Sequence, residues 1–364
     1  MRSGKQSGNV NLRLISSVSV NPGVLKQLER LSRLGGPDLS NLRGYPEPDN
    51  VLDGSMGTIK SISRKRKTRS RAAKGITTTA KTTTYSRNLR QHLIDYAIYP
   101  YNYEYPDGQV PALPNNWDEI NQRLARRRPS LSPLQFSEKD FKKFCRDDAY
   151  ASKEKIVTEV IPTIEGRSGD PKYRGGFPFG NLDPLTDGTL PHATPDHFYG
   201  ARPEPLDLEI RKKLSNQIIP STQSDLPMAP NFFLEAKGPD GTQAVAERQA
   251  VYNGALGARA IHALQSYQQE SPVFDNNAYM VTSIYIYGQL RLYTAHISKP
   301  RGTGCRPEYI ITQLNSWSMT GNIESFRQGA SAYRNALDWA KETRDEMIRL
   351  ANRRHLNAQS RLPV

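Results

Sequence analysis

Glu235 and Lys237 stand two residues apart in the run Asn231-Phe232-Phe233-Leu234-Glu235-Ala236-Lys237-Gly238, which is otherwise apolar. The alternation of a strand puts Glu235 and Lys237 on one face and Leu234 and Ala236 on the other. A carboxylate and an ammonium are thereby carried into a buried segment, at a cost of several kcal/mol unless each finds a partner. The partners such residues take are each other, a metal ion or a substrate phosphate. Other chemistries lack their residues. The six His form no HExxH or His-x-His pair, which argues against a zinc hydrolase. Neither a GxxxxGK[ST] loop nor a GxSxG elbow is present.

Charge is distributed unevenly along the 364 residues, which carry a formal +14. Residues 1–90 hold 18 Lys and Arg against 5 Asp and Glu, whereas the remainder holds 32 against 31. Within the basic quarter, Arg64-Lys65-Arg66-Lys67-Thr68-Arg69-Ser70-Arg71 has the composition read by the nuclear import machinery or drawn to the phosphates of DNA or RNA. A nuclear location is expected from it, with the cytoplasm as the alternative. Cys145 and Cys305 form no CxxC, so a reduced intracellular compartment is expected. No run of about 18 apolar residues occurs, and no membrane association is expected.

A strand with buried charges needs a scaffold, and the pattern supplies one. Residues 1–85 are rich in Ser, Gly, Thr and Arg and read as a disordered basic tail. The folded domain is expected over 86–355. Helical spacing covers 88–97 and 116–127. Ser137 and Asp140 resemble a capping box opening a helical region that Pro162 stops. Gly and Pro make 166–193 loop or very short strands, and one amphipathic helix is expected near 204–214. After the Glu-x-Lys strand come a helix over 242–267, strands over 278–285 and 290–297 joined by Tyr287-Gly288-Gln289, a strand over 309–314, and a long helix over 323–352. Gly254 and Gly257 fall within the first of these helices and predict close packing. The expected class is α/β, bordering on α+β, with a mixed central sheet flanked by helices.

Pro195-Asp196 followed by Glu235-Ala236-Lys237 at the end of an apolar strand, and then by a helix, resembles the PD-(D/E)xK, restriction-endonuclease-like nuclease superfamily. The wider run Asp196-His197-Phe198-Tyr199-Gly200-Ala201-Arg202-Pro203, with the Glu-x-Lys strand and Tyr333-Arg334-Asn335-Ala336, resembles an uncharacterised fungal domain. The likeness implies Mg2+-dependent phosphodiester hydrolysis, or a nucleic-acid-binding protein derived from such a nuclease. By position it makes Asp196 and Glu235 metal ligands, with the Ala236 carbonyl and Glu159 as further ligands. Lys237 would activate the attacking water or stabilise the phosphate. Arg248, Gln249 and Tyr252 would contact the nucleic acid. Asp207 and Asp225 stand as alternatives to Asp196 for the second acidic ligand. A catalytically silent interaction module, in which Glu235 and Lys237 pair with each other, is the alternative function.

Overall fold

In the computed structural model, which describes residues 86, 88–166, 173–223 and 226–360, the Glu235 segment lies within a strand whose ten residues, Met228–Lys237, are all buried. A strand buried along its whole length must be covered on both faces, and the remaining elements do this. The strands are β1 (Ile98–Tyr99), β2 (Tyr173–Arg174), β3 (His197–Ala201), β4 (Met228–Lys237), β5 (Ala278–Ile286), β6 (Gln289–Ser298) and β7 (Glu308–Ser318). The helices are α1 (Leu89–Asp95), α2 (Trp117–Leu124), α3 (Glu138–Asp148), the composite run α4 (153–165), α5 (Leu208–Lys213), α6 (Ser215–Ile218), α7 (Gln243–Ser266) and α8 (Ile323–Gln359). The strands form one mixed sheet in the order β1-β7-β6-β5-β4-β3-β2. The β1/β7 and β4/β5 pairs are parallel and the others antiparallel. The class is mixed α/β, as the sequence leads one to expect.

Alternation on β4 divides the core. Phe232, Leu234 and Ala236 join a cluster with Phe326, Tyr333 and Ala336 of α8 and with Val160 and Ile164 of α4. Phe233, on the opposite face, joins Ala246, Ala250 and Leu256 of α7. A Cβ placed on Gly257 would lie 2.6 Å from the Phe233 ring, so α7 sits against β4 at a distance only glycine allows. All described residues fall in one compact unit, Ile76–Val364. Among them no helix is long and apolar enough to cross a membrane. The expected tail over 1–85, with the Arg64–Arg71 cluster, lies outside the described residues.

Several expectations need correction. Ser137 and Asp140 do form a capping box, but the helix they open ends at Asp148, and a second run starts behind the N-cap Ser152. Pro162 does not stop that run. Ile156–Val160 is π-helical, and Ile161–Glu165 continues as α-helix with the proline in its first turn. Proline lacks an N–H and crowds the carbonyl four residues back, and a π-turn is a way to absorb both. The amphipathic helix expected near 204–214 starts only at Leu208, capped by Asp207, and is followed by the short α6. The strand β3 was not anticipated, and α8 runs on past 352 to Gln359.

Candidate functional site

The β3/β4 pairing is antiparallel, with His197 opposite Leu234 and Phe198 opposite Phe233. One step further along this register, Asp196 faces Glu235. The long interval between the two residues is spent on α5 and α6, which leave the pair at Ala201 and return at Met228. That is the far end of the strands from Asp196. Gly200 and Ala229 lie where the register shifts, and such a bulge also admits Pro230, which cannot donate to a ladder.

Glu235 is 1 % exposed and Lys237 7 %. The Lys237 ammonium donates to Glu235 Oε2 at 3.0 Å, and the Asn253 amide of α7 donates to Glu235 Oε1 at 2.8 Å. Burial pushes the Glu235 carboxyl up to about 7, the nearby Asp196 carboxylate adds to the effect, and Lys237 and Asn253 oppose it. Asp196 accepts the Ala236 N–H on Oδ2 at 2.9 Å and pairs through Oδ1 with Lys153 Nζ at 2.7 Å. In an extended strand the N–H and C=O of one residue point to the same edge. The Ala236 carbonyl is therefore directed to the side on which Asp196 lies. The start of α4 comes this close because Gly238 has no side chain, since a Cβ there would stand 2.7 Å from the Lys153 backbone nitrogen.

Above Glu235 is a cavity of about 220 Å³, walled by α7 residues Arg248, Gln249, Tyr252 and Asn253, by Leu89 of α1 and by the segment 190–194. Burial raises the Tyr252 phenol above its ordinary value. The Gln249 side-chain oxygen is buried with no hydrogen-bond partner among the described residues. An amide oxygen left this way costs about 1–3 kcal/mol unless a bound group supplies a donor.

The structure thus brings Asp196, Glu235, Lys237 and Ala236 together at the end of β4, and sets Arg248, Gln249 and Tyr252 around the cavity that Glu235 also lines. It does not gather the other expected ligands. Glu159 is exposed beside Lys155, 3.8 Å away. Asp207 caps α5 through the Glu209 N–H and lies 3.5 Å from His355 Nε2, engaged with the insertion. Asp225 lies outside the described residues. Among the described residues no third His, Cys, Asp or Glu completes a cluster, so the acidic donors at this site are Asp196 and Glu235.

Two contributors were not anticipated. Asn253 sits one turn beyond Gln249 on the same helix face, a spacing the sequence does display. Lys153 carried no signal, since a lysine at a helix start reads as solvated. Asn253→Ala is expected to leave Glu235 Oε1 without its donor and cost about 1–3 kcal/mol, seen as a lowered thermal midpoint. No protein-family model, curated protein or solved structure matches the chain.

Proposed function

We propose that the cavity over β4 is the active site of a Mg2+-dependent phosphodiester hydrolase acting on DNA or RNA. The observation that supports this reading best is that Glu235, which pairs with the Lys237 ammonium and lies beside the Asp196 carboxylate, also lines the cavity walled by Arg248, Gln249 and Tyr252 of α7.

The donor set fits a hard dication. Two carboxylates, Glu235 on β4 and Asp196 just before β3, and the Ala236 carbonyl offer only oxygen. Like charge on Asp196 raises the Glu235 carboxyl, a repulsion that a cation between them relieves. Mg2+ held by Asp196, Glu235 and Ala236 would supply Lewis-acid activation of the phosphate and of a bound water. Lys237, fixed against Glu235, would hold a proton beside the attacking oxygen and stabilise charge on the phosphate. Arg248 would neutralise a backbone phosphate, and the Gln249 oxygen would accept a donor from the strand. Asn253 holds Glu235 in one rotamer, and such support fixes the geometry of a ligand.

Calorimetric titration with Mg2+, together with cleavage assays on single- and double-stranded DNA and RNA, tests the proposal. Binding and cleavage are expected for the wild type, with both lost in Asp196→Asn. A wild type that neither binds Mg2+ nor cleaves any of these substrates overturns it. The pH dependence has a definite sign. Glu235 must be ionised to ligate, so Mg2+ affinity should fall as pH drops below about 7, approaching tenfold per pH unit.

A second reading is favoured by the 3.0 Å Lys237–Glu235 contact, which with Asn253 forms a self-contained buried group. In that reading the domain is a catalytically inactive interaction module, and Mg2+ leaves its stability unchanged. The basic segment Arg64–Arg71 supports nucleic-acid binding and delivery by nuclear import factors under either reading.

A further inference from the structure

A second, larger cavity of about 470 Å³ adjoins the Glu235 site, and Arg248 lines both. Helix α1 continues the wall, with Leu89 facing the first cavity and Arg90 the second. We infer that this second cavity is a subsite for one unpaired nucleotide of a nucleic-acid strand whose adjoining phosphate lies at Glu235. The inference rests on the hydrolase reading and adds to it the form of the substrate.

The lining has the chemistry of a nucleotide. Arg90, Arg248 and Arg291 stand against one carboxylate, Glu247. Arg291 is held 3.2 Å from Glu247 Oε1, and it donates to Gln243 Oε1 at 3.3 Å. Its guanidinium is thus oriented while the wall keeps an excess of positive charge, as phosphate recognition requires. Tyr101 and Tyr293 meet edge to face, their centroids 6.1 Å apart. Tyr101 is 42 % exposed and offers a ring on which a base can stack. Asn102 and Gln313 bring amides that both donate and accept, the equipment for a base edge.

Size decides between paired and unpaired nucleic acid. The volume lies within the range of about 300–1,000 Å³ that small-molecule sites occupy. A duplex, whose major groove alone is about 12 Å wide, does not enter a space of this size. Of the described residues, Arg90 on α1 supplies part of the positive wall.

Fluorescence anisotropy of the full chain, with EDTA present so that cleavage plays no part, tests this with two probes: a short single-stranded DNA oligonucleotide and the same sequence as a blunt duplex. The single strand is expected to bind more tightly. Tyr101→Ala should weaken it about tenfold with the thermal midpoint unchanged, and Tyr101→Trp should restore it, because stacking needs only a ring face. Arg90→Glu should weaken the single strand by a similar factor at low salt. Equal affinity for the two probes, or a Tyr101→Ala protein that binds the single strand as the wild type does, overturns the subsite. Because no metal is present, a failure of Mg2+-dependent cleavage leaves this result standing, and the two claims fail separately.

Discussion

Lys237→Met is expected to destabilise the protein by about 3–5 kcal/mol near pH 8, because it leaves the Glu235 carboxylate buried without its cation. The loss should shrink near pH 5.5. Glu235 already titrates at about 7, above the ordinary carboxylate value of 4.5, so the folded protein takes up a proton there that the unfolded chain does not. Stability from such a group is fully present below the unfolded pKa and is lost as pH rises through the folded one. Removing Lys237 removes a lowering influence, which raises the folded value further and steepens the decline. Denaturant unfolding at the two pH values measures the difference. The double variant Lys237→Met with Glu235→Gln should recover most of the stability, since a neutral side chain that still accepts from Asn253 needs no counter-charge. Cleavage should be abolished in both variants. A single variant as stable as the wild type at both pH values would contradict the buried pair.

Gly257→Val is expected to be the other severe change. Its new Cβ would stand 2.6 Å from Phe233 Cε2 and 3.2 Å from the Met280 methyl. Both neighbours are fully buried, and the rigid Phe233 ring on β4 is the one that cannot give without shifting its strand or α7. Overpacking of this kind costs about 1–3 kcal/mol or more. The effect on activity should exceed the effect on stability, because α7 carries Arg248, Gln249, Tyr252 and Asn253 on the length of helix that must move. Displacing a positioned group by about 1 Å can reduce turnover about a hundredfold. Phe233→Leu placed in the same chain should restore part of both. A Gly257→Val protein with wild-type melting and cleavage would show that the spacing of α7 from β4 does not set the site.

What the sequence made legible was what periodicity encodes. The segregation of Glu235 and Lys237 from Leu234 and Ala236, the Ala-rich helix behind them, the hairpin at Tyr287-Gly288 and the long last helix all follow from alternation or helical spacing. The strand β3 escaped because its five residues, His197–Ala201, make a short strand, polar for a buried one, in which His197 and Gly200 interrupt any apolar run of the kind that marked β4. Glu159 was expected only because the resemblance places an acid there, and in the structure it is exposed beside Lys155 on a π-helical stretch. The acid that turns inward is Glu165, whose Oε1 accepts from Tyr199 at 2.6 Å and from Tyr333 at 3.2 Å. Asp196 found its partner only through strand pairing, a long-range relation that no local pattern contains.

The excursion between Ala201 and Met228 carries a lesson about how far apart in sequence such a pair can stand. It is spliced into the β3/β4 pair at the end remote from Asp196 and Glu235, and its helices bury Ile210 and Ile218 in a cluster shared with Ile261 and Leu264 of α7 and Met347 and Ile348 of α8. Lengthening a connection raises its closure entropy only logarithmically, by about 0.6 kcal/mol for each doubling. A change in the length of the connection alone would therefore cost little and leave the two acids opposed across the same ladder. The number of residues that separates two side chains along the chain is thus a poor guide to how they stand across the sheet.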